Sequence, residues 1–328
     1  RGTYASNIEG RAMSSLAEIN QVFPYFFPTV VFLFGACVGS FLNVCIYRIP
    51  AGKSIVSPPS HCACGKPIAW YDNIPILGWF LLRGRARCCG RRISFRYPLV
   101  EILTAAAFCR MFAAHEPAVA FAGMLFAALM IFCAFVDIDT MTLPDFATVG
   151  GTTAGVALSV LIPQLHSAEI EGAPFFASAV ASATSAACGI AVGSGLLYWV
   201  RLGGEVVFRR EAMGEGDVIL IGAIGAFCGW QGALFAIFAG SLIGAVVLLP
   251  LCAIKILFSK KSEPCKSGKG KKRNENKESG GNEGGGEEFA PDAIPYGPWL
   301  ALGGLLYYMF FSDWVCAYFD AVGKLLFG

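Results

Sequence analysis

Met213-Gly214-Glu215-Gly216-Asp217 stands at the mouth of an apolar run, residues 218–230. Two glycines flank one acid and place a second, Asp217, in the first turn of what reads as a membrane helix. Gly214 and Gly216 are expected to take positive φ there and to let a substrate strand approach. An ionisable residue at such depth is costly and needs a partner. Asp137 supplies one: Val136-Asp137-Ile138-Asp139 ends another apolar run. Two aspartates on different helices at one membrane face are what aspartyl proteolysis requires. One carboxylate draws a proton from water while its protonated twin polarises the scissile carbonyl, and so close a pair titrates in two coupled steps. Alone, the G-x-G-D match is weak in a chain with 39 glycines. Its plain alternative is a loop followed by an aspartate on a helix dipole.

Hydrophobic residues make up 55% of the 328 and charged residues 15%, with a mean hydropathy of +0.60. A soluble domain carries about 25% charged residues, so the repeated long apolar runs mark an integral membrane protein. The thirteen cysteines do not spell a disulfide scaffold. Cys37, Cys45, Cys109, Cys133, Cys188 and Cys228 lie in apolar runs, where cysteine acts as a small hydrophobe. No cleavable signal peptide is evident. Ile8-Glu9-Gly10-Arg11 resembles an engineered protease site, so residues 1–12 are set aside as a scar and Met13 is taken as the native start.

The apolar runs predict an all-α, polytopic helix bundle of about eight transmembrane helices. They fall near residues 22–46, 99–114, 119–136, 146–162, 174–200, 218–230, 233–258 and 298–311. Gly35, Gly39 and Ser40 give the first run a small-residue face for close helix packing. Tyr47 and Arg48 read as an interfacial anchor, and Pro50 stops the helix. The segment 51–96 carries eight basic residues against one acid, Asp72, which makes it cytoplasmic. Alternation then puts Asp137 and Asp217 on the cytoplasmic side and the acidic turn 166–172 outside. The organisation expected is a first span at 22–47, a small cytoplasmic zinc-binding loop domain at 48–97 and a membrane peptidase core at 98–311. Within the core, residues 259–293 read as a mobile cytoplasmic loop without apolar periodicity. Residues 312–328 read as an interfacial amphipathic tail.

Within the basic loop stand His61-Cys62-Ala63-Cys64-Gly65 and Arg87-Cys88-Cys89-Gly90. Two cysteine pairs, each followed by glycine, resemble the knuckles of a structural zinc site. Usual knuckles read C-x-x-C; these read C-x-C and C-C. Cys62, Cys64, Cys88 and Cys89 are the candidate ligands, with His61 as a substitute. Free or disulfide-bonded thiols are the alternative, and a cytosolic location disfavours stable disulfides.

Several boxes follow in one order: Gly39-Ser40-Phe41-Leu42-Asn43-Val44, the cysteine loop with Asn73-Ile74-Pro75, and Arg96-Tyr97-Pro98-Leu99-Val100-Glu101. Then come Asp137-x-Asp139 with Leu143-Pro144-Asp145, the G-x-G-D box, and Ile294-Pro295-Tyr296-Gly297-Pro298. The ordered set resembles the type IV prepilin peptidases, also called prepilin leader peptidase/N-methyltransferases. That resemblance implies an aspartic endopeptidase of the bacterial inner membrane. It would remove the basic leader of type IV prepilins or type II secretion pseudopilins, cutting after glycine at the cytoplasmic face. Many members then methylate the new N-terminus with S-adenosylmethionine, although no glycine-rich nucleotide fingerprint marks a place for it here. The resemblance assigns catalysis to Asp137 and Asp217 and an accompanying part to Asp139 and Asp145, beside Gly214 and Gly216. The partners implied are the pilin-type substrates and the lipid bilayer, with no nucleic acid. Glu101 and Glu211 read as helix-end or interfacial acids.

Three rivals remain. A secondary transporter would use the two aspartates as ion sites, but shows no inverted repeat. A zinc-loop membrane scaffold leaves both aspartates idle. An intramembrane protease of the presenilin type shares G-x-G-D but not the cysteine loop.

Overall fold

A computed structural model describes residues 23–62, 64–167, 174–209, 213–259 and 295–327. The expected scar at 1–12, the loop 260–293, Glu211 and most of the acidic turn after His166 lie outside the described residues. Everything regular is helical, and the only β pairings among the described residues are two isolated bridges, His61–Pro67 and Arg85–Arg92.

Helix α1, Phe26–Arg48, runs against α3, Arg96–Ala114. Glycine makes that contact possible. A Cβ on Gly35 would lie 2.7 Å from the Ala105 Cα, and one on Gly39 would lie 2.7 Å from the Glu101 Cα. Backbones this close gain dispersion contacts that larger residues would prevent, which is how helices associate without a hydrophobic drive between them. Helix α4, Pro117–Thr140, starts on a proline and stops where Met141 turns left-handed, at φ 51°. Helix α5, Asp145–Leu161, is 17 residues long. Helix α6, Phe175–Phe208, has 34 residues and ends eight past the expected limit near 200.

Helix α7, Glu215–Ser259, is a hairpin rather than a rod. Gly229 breaks it with φ 69° and ψ −176°. Helix α8, Gly297–Leu306, shows the reversal. Gly297 lies beside Asp217, while the neighbouring Tyr296 hydroxyl bonds the Ser241 hydroxyl at 2.7 Å. Further along α8, Gly304 meets Ile224 and Gly303 meets Ala236. Tyr307 meets Gly232 at the turn. Residues 215–228 and 230–259 are therefore antiparallel, matching the two separate apolar runs of the sequence. Among the described residues, six helices are long and apolar enough to cross a membrane, and α7 is one of them. The eight apolar runs of the sequence thus correspond to these six helices, the two limbs of α7 and the shorter α5 accounting for the difference.

The core lies between α4, α7 and α8, where Phe126, Met130, Ile224, Phe227 and Leu300 are fully buried. Gly189 of α6 and Gly225 of α7 cross so closely that a Cβ on either would overlap the other's backbone carbonyl. After α8 a π-helical turn, Tyr307–Phe311, leads directly into α9, Ser312–Phe327. The tail is thus a continuation of the last span, with Trp314 and Tyr318 exposed along it.

The cysteine loop, 49–95, sits at the end of the bundle that carries Asp137 and Asp217. It contains a 3-10 turn, Trp70–Asn73, and a short helix α2, Leu77–Leu81. Arg48 departs from its expected role. It is buried, and its guanidinium donates to the carbonyls of Ser54 at 3.0 Å and Pro58 at 2.7 Å. Only Tyr47 of the pair faces outward, with Lys53 over its ring. Glu101, also buried, accepts the Ile76 N–H at 2.6 Å and ties the loop to α3.

Candidate active site and metal centre

Asp137 lies one turn from the end of α4, and Asp217 lies in the first turn of α7. Both are buried, at 5% and 7% exposure. A third residue shows how they face one another. A Cβ added to Gly297 would lie 2.7 Å from Asp137 Oδ2 and 3.2 Å from Asp217 Oδ1. Both carboxyls thus reach one point beside the start of α8, and nothing larger than hydrogen fits between them and that backbone. The Gly297 amide is directed at Asp137 and the Gly214 amide at Asp217. Asp137 Oδ2 is buried without a hydrogen-bond partner among the described residues. A buried carboxyl oxygen left open is costly unless a water, a proton or a ligand atom completes it.

The glycines of the box do not take unusual dihedrals, and Gly216 serves close packing. Positive φ occurs at Gly52, Gly65, Gly84, Gly90 and Gly229, not at Gly214 or Gly216. Gly216 is already helical, and a Cβ there would lie 3.1 Å from the Leu143 Cβ. It lets the segment before α5 pass tightly over the head of α7. Glu215 is the first residue of α7 rather than a loop residue, exposed and paired with Arg201 at 3.2 Å. Asp139 points elsewhere, bonding Arg96 at 2.5 Å. A two-residue step turns a helical side chain by about 200°, so only one of Asp137 and Asp139 can face Asp217. Asp145 is exposed at the start of α5; its backbone carbonyl accepts from the Thr148 hydroxyl at 3.5 Å, and its carboxylate has no hydrogen bond or ion pair among the described residues.

At the same end, Cys62, Cys64, Cys88 and Cys89 bring their sulfurs within 4.8 Å of one another. Cys62 and Cys89 are 3.5 Å apart and Cys64 and Cys88 3.3 Å. Four thiolates around a tetrahedral zinc at about 2.3 Å stand about 3.8 Å apart, so the set fits that ion. Each knuckle closes through a left-handed glycine, Gly65 at φ 83° and Gly90 at φ 69°. Four thiols this close compete for protons. The Cys64 amide, above all, draws the Cys62 thiol down to about 7, while hydrogen bonding with Cys62 pushes Cys88 up to about 12. A cation removes that conflict by favouring thiolate at every position. His61 stays out of the cluster, its Nδ1 turned to the Pro59 carbonyl at 3.2 Å.

Residues 33–115 match the bacterial peptidase A24 N-terminal domain, and residues 124–249 match the type IV leader peptidase family. The chain is 35% identical to a prepilin leader peptidase/N-methyltransferase of Myxococcus xanthus (strain DK1622), over 85% of this chain and 89% of the relative. The chain belongs to the type IV leader peptidase family. It is also similar to the prepilin leader peptidase/N-methyltransferase of Pectobacterium carotovorum subsp. carotovorum, at 29% identity over 89% of this chain and 96% of the relative. A third relative is the type 4 prepilin-like proteins leader peptide-processing enzyme of Escherichia coli O78:H11 (strain H10407 / ETEC), at 35% over 65% and 81%. No solved structure matches the chain.

In this leader peptidase family member the cysteines fall in the first matched region and both aspartates in the second. Gly297 lies beyond both. Its place between the acids was missed in sequence, where Tyr296-Gly297-Pro298 enters only as part of the last of the ordered boxes. One signal was available: a glycine between tyrosine and proline, heading an apolar run, marks a backbone with no room for a side chain. Tyr296 holds that backbone through Ser241 of the second α7 limb.

Proposed function

We propose that Asp137 and Asp217 form the catalytic dyad of a membrane aspartic endopeptidase that removes leader peptides from type IV prepilins or type II secretion pseudopilins. The observation that carries this is the convergence of both buried carboxyls on Gly297. A pair so placed shares one proton. The ionised member takes a proton from water as the water attacks the scissile carbonyl, and the protonated member donates to the carbonyl oxygen. On collapse of the tetrahedral intermediate, a carboxyl returns a proton to the leaving amine. The open Asp137 Oδ2 is the acceptor for that water, and the Gly297 and Gly214 amides orient the two carboxyls.

Cleavage after glycine suits the same geometry. The crowding at Gly297 leaves little space beside the dyad, and glycine unwinds readily from a helix and exposes its carbonyl. We place the dyad and the cysteine loop at the cytoplasmic face of the bacterial inner membrane, because most cations without an acidic partner among the described residues lie at that end. The four cysteines would hold a structural zinc that fixes the loop and takes no part in the bond cleavage. For S-adenosylmethionine the described residues offer no nucleotide fold and no glycine-rich turn, so no step is assigned to it. The transporter reading draws no support from the family.

Mass spectrometry of a candidate prepilin incubated with the purified chain, with and without S-adenosylmethionine, tests the proposal. A cut after glycine that disappears in Asp217→Asn is the expected result. An uncut substrate, or cutting unaffected by that substitution, would remove the dyad. A further methyl mass would establish the second activity carried in the relatives' names.

A further inference from the structure

The short helix α2 turns its apolar side outward. Leu77, Phe80 and Leu81 are spaced i, i+3 and i+4, hence on one face, and all three are exposed, Leu81 at 76%. The other side holds α2 to the loop. Gly78 packs against the Asp72 carbonyl with no room for a Cβ. The Trp79 indole N–H donates to the Ile93 carbonyl at 3.1 Å, and its ring meets Phe95 edge-on. A helix this small that offers three large apolar side chains to the outside is built to meet something.

Charge identifies the occupant. Asp72 is taken by a two-pronged contact with Arg87, and Asp139 by Arg96. Lys53, Lys66, Arg83, Arg85, Arg91 and Arg92 then have no acidic partner among the described residues. Arg83 and Arg85 follow α2 directly, and the Arg85–Arg92 bridge brings Arg91 and Arg92 alongside. The loop leaves α1 and enters α3 at one end of the bundle, held down by Arg48 and Glu101. Apolar side chains ringed by cations, beside the ends of membrane helices, fit the boundary between acyl chains and anionic headgroups.

We propose that α2 and its flanking arginines dock on an anionic lipid surface, with Leu77, Phe80 and Leu81 in the headgroup boundary and the guanidiniums on lipid phosphates. The contact clamps the cysteine loop flat beside the aspartates. It does not depend on the catalytic role proposed for them.

The test uses the full chain in nanodiscs of phosphatidylcholine alone, or of phosphatidylcholine with phosphatidylglycerol, and reads amide hydrogen exchange of residues 76–86. Exchange should be about tenfold slower in the anionic discs, and added salt should erase the difference. Arg83→Gln with Arg85→Gln should erase it too, while Leu77→Ser with Leu81→Ser should speed exchange in both lipids. Exchange of residues 120–136 reports whether each variant keeps its fold. If a variant does not, the salt series on the unaltered chain still decides. Equal exchange in the two lipids overturns the proposal, as does protection that appears only when a soluble acidic protein is added.

Discussion

The aspartate pair and the cysteine cluster lie at the same end of the molecule, and each gathers groups distant in sequence, but they are held in opposite ways. Asp137 and Asp217 ride on long helices whose backbones satisfy themselves and whose contacts are fixed by glycine-to-backbone packing. The cysteines stand on turns, largely exposed, and what organises them is a few hydrogen bonds and the Arg87–Asp72 pair. Packing over-determines the first site, whereas the second has four sulfurs spaced as a cation would hold them. Disturbing the dyad should therefore stop chemistry while the fold persists. Disturbing the cluster should melt a loop while the dyad remains.

The largest effect belongs to the acids. Asp137→Asn and Asp217→Asn should each lower cleavage by at least about a thousandfold, and the double variant should be no worse, because members of one catalytic unit are not additive. Thermal melting should stay near that of the unaltered chain, since asparagine fills the same space. Losses that multiply in the double variant would mean two independent groups. Gly297→Ala comes next. The added methyl meets both carboxyls, and a displacement of about 1 Å can cost roughly a hundredfold in rate. Zinc content should not change, and kinetics with metal analysis on one preparation checks both halves.

Much of this contrast was legible beforehand. The eight apolar runs, the small-residue face of α1 and the aspartates on separate helices all follow from local composition and spacing. What was hidden depends on tertiary approach. Nothing near Gly297 says that it meets Asp137, 160 positions earlier. Arg48 reads as an interfacial anchor and Glu101 as a helix-end or interfacial acid because their partners are loop backbone atoms, which no side-chain pattern encodes. The glycines of the box suggested free dihedrals, and only the contact of Gly216 with Leu143 reveals a packing role. His115 and His166, isolated in sequence, line one cavity of about 180 Å³ at the opposite end of the bundle.

That cavity allows acid to separate bundle from loop. Burial lowers the His166 imidazole to about 4, and His115 is lowered for the same reason. The folded protein thus binds the His166 proton less readily than the unfolded chain, whose histidine titrates near 6.5. The His166 contribution is complete above that value and is lost as pH falls through 4. Between pH 7 and 4 the loss should reach roughly 2 kcal/mol, after allowance for water entering from the cavity. Melting curves across this range should fall less steeply in His166→Gln. An unchanged slope would show that other groups carry the acid sensitivity.

The cysteines come below this. The purified chain should hold about one zinc, and Cys64→Ser with Cys89→Ser should release it. Hydrogen exchange should then rise across residues 60–92 but not in α4. Cleavage should fall only about tenfold, as loss of an outer support does, because the loop reaches the dyad through Arg96 and Glu101 rather than by direct contact. A collapse of melting in the bundle would break the distinction between a packed site and a stapled one.

The smallest effect is the sharpest test of which acid on α4 matters. Asp139 bonds Arg96, and both side chains are about a third exposed, at 34% and 31%. Ion pairs of that kind contribute up to about 1 kcal/mol, so Asp139→Asn should slow cleavage by a few-fold at most. Arg96→Gln should do slightly more, because Arg96 also donates to the Phe135 carbonyl at 3.1 Å. Neither change should alter the pH profile, whereas any group of the dyad would. Asp137 lies two residues away, is buried, and reaches the point that Asp217 reaches. On one helix the two side chains diverge by about 200°, so they cannot exchange roles by a small adjustment. If Asp139→Asn abolished cleavage while Asp137→Asn kept it, α4 would have to present its other face in the working enzyme. The contact of Gly297 with Asp137 would then belong to a resting arrangement, and the dyad would have to be rebuilt around Asp139 and Arg96.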